Sequence, residues 1–274
     1  MQFKFGPRYH QLFRRTSEDC AHTFEEEGHE STENRRHGRV AGLGGRVVDA
    51  RDDEPVAAAL DCRGLDGVPA AEPLASRTPL ATGAKDSFQL PLRHAGTFLC
   101  EPLLGDGTTM PARPRPLIVT GTSPVAVDRD EVLLIEEWRL QPDGTAVSPG
   151  SEPKDSTLIH TINGKTSHEV SAPANARLRL RFINGSPRSV LAVKLETLDV
   201  RVMAIDGQPA EPFSARNGAL ILAPGSRTDV FVDTAGPAGT SFPILLHDGK
   251  QGRPVGKLIV SNEEIGRASC RERV

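Results

Sequence analysis

Residues 176–185 read ARLRLRFING, a stretch in which apolar and basic side chains alternate with a period of two. Leu178, Leu180 and Phe182 fall on one side of an extended chain, and the basic residues fall on the other. The basic residues are Arg177, Arg179 and Arg181. A helix, with about 3.6 residues per turn, would scatter both sets around its surface. The pattern predicts a β-strand with one buried face and one face in water.

The row of arginines has two interpretations. Three guanidinium groups along one strand face are suited to binding phosphate groups. Alternating charge on the outer face of a strand is also an ordinary way to keep a sheet soluble. We favour the second interpretation and expect these arginines to be solvated.

Short apolar segments of this kind recur from about residue 46 to residue 262, and each is closed by Gly, Pro, Asp or Asn. The earlier ones include DSFQLPL, GTFLCEPLL and RPLIVTG; after the linker TGTSPVAVDRD come DEVLLIEEW, VLAVKLE, VRVMAIDG, FPILLHDG and VGKLIVSN. The 26 glycines and 22 prolines are suited to many turns between short strands. The sequence predicts an all-β chain of two tandem units, an all-β unit over 46–122 and a β-sandwich or barrel of Greek-key type over 123–262.

Charge and hydropathy exclude several classes of partner. The 33 basic and 36 acidic residues nearly balance, so no overall field attracts nucleic acid or an anionic membrane. No run of about 18 apolar residues is present, so we expect no membrane span.

The two ends lack the strand pattern. Residues 1–45 are polar and dense in charge, and we expect this segment to be disordered or aberrant. Its histidines are irregularly spaced, which favours solvated side chains over a metal site; they are His10, His22, His29 and His37. Residues 263–274 end in IGRASCRERV, which resembles a translated sequencing adapter (ATC GGA AGA GCG TCG TGT AGG GAA AGA GTG), so we expect a non-native tail in which Cys270 has no role.

A family resemblance comes from residues 161–234. They contain, in order, NG, RLRFING, AIDGQP and LAPGSRTDVFV. This ordered set resembles the second cupredoxin-like, or plastocyanin-like, domain of the multicopper oxidases, the laccase-like group. The resemblance implies a domain that carries no copper ligands and serves as a spacer and packing partner between the first and last domains.

Two upstream segments resemble the copper-binding strands of the family's first domain, and the resemblance implies an incomplete Greek-key cupredoxin-like domain over 46–122. AAALDCRGLDGVP and HAGTFLCEPLLGDG match the patterns H-W-H-G and W-Y-H-x-H. Asp61 and Arg63 stand at the first histidine pair, and Glu101 and Leu103 stand at the second. In active members these histidines help to hold a trinuclear copper cluster at which O₂ is reduced. A guanidinium or a leucine has no lone pair to donate to copper, so we expect no copper and no catalytic residue in this chain.

The residues between and beside these positions carry further expectations. Arg63 is a well-matched partner for a carboxylate, so we expect it to pair with Asp61 or Glu101 where copper would lie. Cys62 and Cys100 replace the family's tryptophan and tyrosine, on the opposite strand faces. They are either free buried thiols or a disulfide, and a disulfide would indicate an oxidising compartment. Three further histidines lie near turns with nothing convergent to support ligation: His160, His168 and His247.

The sequence thus predicts a fragment of a multicopper-oxidase-like protein that has lost its trinuclear-cluster ligands and acts as a non-catalytic structural or binding module. The alternative is a copper-binding oxidoreductase, with laccase-like electron transfer to O₂, whose copper-bearing last domain is missing from this chain. The expected partner is that missing C-terminal cupredoxin domain. By resemblance the protein is periplasmic or exported, although the chain carries no recognisable signal peptide.

Overall fold

The computed structural model describes residues 44–47, 58–65, 81, 86–89, 92, 94–104, 114–121, 125–147, 151–247 and 251–263. The predicted aberrant N-terminus and the adapter-like tail, with Cys20, Cys270 and the first four histidines, lie outside the described residues, apart from a few positions at their inner edges. Nowhere in those ranges is there a helix long and apolar enough to cross a membrane.

Strands dominate the described residues, and the only helical element among them is a 3₁₀ turn at Arg216–Gly218. The strands are β1 (Gly44–Val47), β2 (Ala58–Arg63), β3 (Asp86–Gln89), β4 (Gly96–Leu104), β5 (Arg115–Val119), β6 (Arg129–Leu140), β7 (Thr157–Ile162), β8 (His168–Pro173), β9 (Arg177–Asn184), β10 (Leu191–Leu195), β11 (Arg201–Ile205), β12 (Gln208–Ser214), β13 (Ala219–Leu222), β14 (Arg227–Asp233), β15 (Ser241–His247) and β16 (Gly252–Ser261). The predicted all-β class is confirmed.

The C-terminal strands, β6–β16, form a sandwich of two sheets. The first sheet has the order β12-β11-β14-β9-β6-β7, and the second has the order β13-β10-β15-β16-β8. Pairs β6–β9 and β8–β16 are parallel, whereas the other pairs in these sheets are antiparallel. One cluster of buried side chains is drawn from both sheets, with Leu180 and Phe182 of β9 facing Val193 of β10 and Ile244 of β15 in the same core. Burial of these apolar faces is the main source of this sandwich's stability.

The N-terminal strands, β1–β5, form two smaller sheets with the orders β2-β4-β5 and β1-β3. Among the described residues their core is small: Cys62, Leu65, Leu92 and Phe98 are buried together. A second apolar cluster joins Leu99 of β4 to Leu134 of β6 and Ile183 of β9. Strand β4 therefore packs on the outer face of the six-stranded sheet.

The arginines of β9 become less exposed along the strand. The buried apolar face is as predicted, with Leu178, Leu180 and Phe182 fully buried. The side chain of Arg177 is 52% exposed, that of Arg179 is 17% exposed and that of Arg181 is 3% exposed. The expectation of a solvated arginine face is therefore correct at Arg177 and wrong at Arg181, because β4 covers that end of β9.

Carboxylates neutralise the buried end of the arginine row, and a threonine hydroxyl hydrogen-bonds with both charges. Asp229 of β14 lies directly opposite Arg181 and is 2% exposed. Its carboxylate accepts hydrogen bonds from Arg179 Nη2, from Arg181 Nη1 at 3.2 Å and from the Thr97 hydroxyl of β4 at 2.8 Å. Arg181 also donates to Thr97 Oγ1 at 2.7 Å and, through Nε and Nη2, to both carboxylate oxygens of Asp130. This network joins the N-terminal strands to the sandwich, and it occupies the groups that a phosphate would need.

Asp229→Asn should destabilise the protein strongly. The change removes the charge that two buried or half-buried guanidinium groups share, and breaking such a pair costs about 3–5 kcal/mol in the free energy of unfolding. Asp233→Asn is the matched control, since Asp233 also lies on β14 and pairs with an arginine of β9, Arg177, but at the surface. Surface pairs contribute little. Urea titration measures both variants, and equal losses would contradict the importance of the buried network.

Candidate functional site

The antiparallel pairing of β2 with β4 sets the geometry of the predicted site. Asp61 lies opposite Glu101, Cys62 lies opposite Cys100, and Arg63 lies opposite Leu99. Directly opposed residues of an antiparallel pair share a face, and successive residues alternate between faces. Asp61, Arg63 and Glu101 therefore share the face that carries Leu99, which is the face turned towards the sandwich.

The expected ion pair of Arg63 is present and involves both carboxylates. Arg63 Nη2 donates to Glu101 Oε1 at 2.6 Å, and Arg63 Nε lies 3.7 Å from Asp61 Oδ2. The three side chains are half-buried, with exposed fractions of 18–35%. The fourth predicted position, Leu103, lies opposite Ala59 in the strand register, two residues beyond Glu101.

Arg63 makes a third contact that the sequence did not predict. Its Nη1 donates to the carbonyl oxygen of Pro224 at 2.9 Å, in the turn between β13 and β14. The next residue, Gly225, has a φ of +75°. A Cβ at Gly225 would lie 1.8 Å from Arg63 Nη1, so only glycine leaves room for the guanidinium. Arg63 thus links the acid pair of the N-terminal strands to the main chain of the sandwich.

A second arginine makes the reverse connection. Arg227 of β14 donates through Nε to the carbonyl oxygen of Thr97 in β4 at 3.2 Å. Its Nη1 and Nη2 donate to the carbonyl oxygens of Gly225 and Asp206, each at 2.9 Å. A Cβ at Gly64, beside Arg63, would lie 2.5 Å from Arg227 Nη2. On each side of the interface, one guanidinium therefore donates a hydrogen bond to a main-chain carbonyl oxygen of the other side. Each guanidinium lies in the space that a glycine of the other side leaves open.

The side chains at these positions are poor ligands for copper. Imidazole nitrogen suits copper, whereas the side chains that meet here are two carboxylates and a guanidinium. The guanidinium already satisfies Glu101 and lies beside Asp61, so a cation would have to displace a bound positive charge. Across the described part of the chain, no group of three or more His, Cys, Asp or Glu side chains is arranged to hold a metal. The residues at these positions do not fit a copper ion.

Cys62 and Cys100 lie on the other face of the same strand pair. Cys62 is 4% exposed and packs with Leu65, Leu92 and Phe98, and Cys100 is partly buried against the same cluster. Of the two interpretations open from the sequence, the structure has the disulfide, between residues 38 apart in the chain. The bond lies directly behind the Arg63 cluster.

The remaining predicted histidines lie apart from this site. His160 Nε2 is 3.6 Å from Glu137 Oε2, and the pKa of the Glu137 carboxyl is below its usual value chiefly because it hydrogen-bonds with His160. Partial burial lowers the pKa of His168, and nearby Lys165 lowers it further. His247 ends β15. The three histidines lie on β7, β8 and β15 and form no common group.

Solved structures define the class of this fold. The multicopper oxidase of Pseudomonas thermotolerans superposes with a TM-score of 0.68 at 23% identity, over 82% of this chain and 55% of that one. Lac15 from a marine microbial metagenome gives a TM-score of 0.62 at 22% identity, over 78% of this chain and 55% of that one. The strands and their arrangement are those of a cupredoxin-like fold, as predicted.

Sequence comparison relates part of the chain to a known family. A multicopper oxidase family model matches residues 129–258, which include most of the C-terminal strands. Laccase-1 of Cryptococcus neoformans var. grubii is 24% identical over 212 residues, covering 65% of this chain and 32% of the laccase. Residues 129–258 of this chain therefore resemble the multicopper oxidase family, and the chain spans about a third of the length of that curated relative.

Gly225→Ala should displace the Arg63 guanidinium from its position beside Pro224 and Gly225. Gly239→Ala is the matched control, since Gly239 also has a positive φ, of +88°, but a Cβ there would meet nothing within 4 Å. Both variants carry backbone strain, and only Gly225→Ala also breaks the contacts of Arg63. We expect the greater loss in the free energy of unfolding for Gly225→Ala, and a coupling of about 0.5–3 kcal/mol with Arg63→Ala in a double-mutant cycle measured by urea titration. Additive effects of the two changes would show that Gly225 does not position Arg63.

Proposed function

We propose that this protein is a non-catalytic structural or binding module of the multicopper oxidase family. The single observation that carries the proposal is the Arg63 guanidinium, 2.6 Å from Glu101 and close to Asp61 on one strand face. By the sequence patterns these residues, with Leu103, stand where active members carry trinuclear-cluster histidines. An ion pair at this place contributes to packing between two parts of the chain and supplies no redox centre.

The chemistry of the side chains supports this proposal. Neither a guanidinium nor a leucine donates a lone pair, and a carboxylate that is held by arginine is a poor ligand for copper. The hydrogen bonds of Arg63 with Pro224 and of Arg227 with Thr97 also join the N-terminal strands to the sandwich in this region. The Arg63 guanidinium occupies the place between the two carboxylates that a cation would need, and it also contacts the sandwich.

The proposed organisation has two cupredoxin-like domains in tandem. An incomplete first domain over 46–122 carries the Arg63 cluster, and a second, plastocyanin-like domain over 123–262 carries the sandwich. The Cys62–Cys100 disulfide belongs to the proposal, and it favours an oxidising location such as the periplasm or the cell exterior. The proposed partner is a C-terminal cupredoxin domain of a longer protein.

The alternative function is that of a copper-binding oxidoreductase with laccase-like electron transfer to O₂. The comparisons favour this alternative, because the relatives are described as a laccase and as multicopper oxidases. In that case the copper-bearing last domain would lie outside this chain. Coding sequence that continues into a His-Cys-His constellation with an axial methionine would support the alternative.

Copper analysis tests the proposal. The purified chain is loaded with Cu(II), dialysed and assayed for copper by mass spectrometry and for O₂ uptake with a phenolic substrate. We expect copper well below one ion per chain and no O₂ uptake. The positive control is a variant with histidine at all four positions: Asp61→His, Arg63→His, Glu101→His and Leu103→His. That variant should retain more copper, because four imidazoles that can donate a nitrogen lone pair replace two arginine-paired carboxylates, a guanidinium and a leucine.

The opposite result decides against the proposal. Stoichiometric copper in the unaltered chain, together with O₂ uptake, would favour the oxidoreductase. Stoichiometric copper held equally by the unaltered chain and by the four-histidine variant would also contradict the proposal, because the four positions would then not decide binding.

A further inference from the structure

We propose that the Cys62–Cys100 disulfide is a redox-controlled latch, whose reduction by a dithiol releases β2 from β4 and undocks Arg63 from the sandwich. The inference does not depend on whether the protein binds copper, and its experiment measures docking rather than metal. The latch connects the oxidation state of two sulfur atoms to the contact between the N-terminal strands and the C-terminal strands.

The strand register places the disulfide at the centre of the docking contacts. Cys62 is flanked on β2 by Asp61 and Arg63, and Cys100 is flanked on β4 by Leu99 and Glu101. Every one of these flanking residues lies on the face turned towards the sandwich. The bond therefore holds the two strands in register at the position from which Arg63 reaches Pro224 and Leu99 reaches Leu134 and Ile183.

Several described contacts hold β2 to β4. They are the ladder of main-chain pairs, the ion pair of Arg63 with Glu101 and an apolar cluster in which Cys62 itself takes part. The disulfide is the covalent contact of this set, and it lies at the centre of the ladder. Its reduction should therefore weaken the pairing of the two strands at the point from which Arg63 projects.

The sandwich, by contrast, does not depend on the disulfide. Its core cluster contains 24 buried residues, all of them between Leu133 and Val260. Neither cysteine contributes to that cluster. Reduction should therefore free β2 and leave the two sheets of the sandwich folded.

The chemistry is ordinary thiol–disulfide exchange. A thiolate of the dithiol attacks Cys100, the more exposed partner, and forms a mixed disulfide while Cys62 leaves as a thiolate. The second thiol of the reagent then displaces Cys100. Two electrons and two protons pass to the protein, which ends with two thiols, and the reagent ends as its own disulfide. The freed Arg63 loses its fixed contacts to Pro224 and Glu101.

Limited proteolysis tests the latch. The protein used is the full chain with Cys20→Ser and Cys270→Ser, so that Cys62 and Cys100 are the remaining two of four cysteines. Trypsin is added with and without dithiothreitol, and mass spectrometry follows cleavage after Arg63 and after Lys257. Docked Arg63 is held at both ends of its guanidinium and is a poor trypsin substrate. We expect reduction to speed cleavage after Arg63 by about a hundredfold and to leave cleavage after Lys257 unchanged.

A second variant separates the latch from general stability. Cys62→Ala with Cys100→Ala should be cleaved rapidly after Arg63 both with and without dithiothreitol. Unchanged cleavage after Arg63 on reduction of the unmutated pair would overturn the proposal. A parallel rise at Lys257, in the middle of β16, would also overturn it, since the disulfide would then stabilise the whole chain rather than the docking of β2.

Discussion

The buried carboxylate of Asp229 is the contact on which the arrangement of the molecule depends. It accepts hydrogen bonds from Arg179 and Arg181 on the neighbouring strand and from Thr97 on a strand more than a hundred residues earlier. A carboxylate at this depth needs several donors, and the two arginines need its charge. Satisfying these groups requires β4 to lie on the six-stranded sheet. The position of Thr97 then fixes Leu99 against the sandwich and Glu101 beside Arg63.

The two reciprocal arginines extend this contact to the edge of the interface. Arg63 and Arg227 each cross to a main-chain carbonyl oxygen on the other side. Main-chain acceptors are insensitive to substitution of the residue that carries them, so these links depend on the arginines and on the space around them. The disulfide on the far face fixes the strand register from which Arg63 projects.

Much of the fold followed from periodicity, and parts of the site did not. The alternation in β9 predicted the burial of Leu178 and Phe182, and the strand faces predicted that Arg63 would meet a carboxylate. Periodicity could not predict that Arg181 is buried, because its cover comes from Thr97, 84 residues away. The role of Arg227 was missed for the same reason, because its partner Thr97 lies 130 residues away in another sheet. Local sequence patterns indicate which side chains face outward from a strand. They do not indicate which distant segment of the chain packs over those side chains.

The two glycines beside the interface arginines constrain how such a sequence changes over time. Gly225 leaves room for Arg63, and Gly64 leaves room for Arg227. Each glycine is required for two reasons, the guanidinium that lies where its Cβ would be and a positive φ that other residues rarely adopt. A lineage that loses one arginine still keeps the backbone reason for the matching glycine, whereas a lineage that replaces the glycine also loses the space for the arginine. Among descendants, each arginine should therefore be free to change before its glycine does.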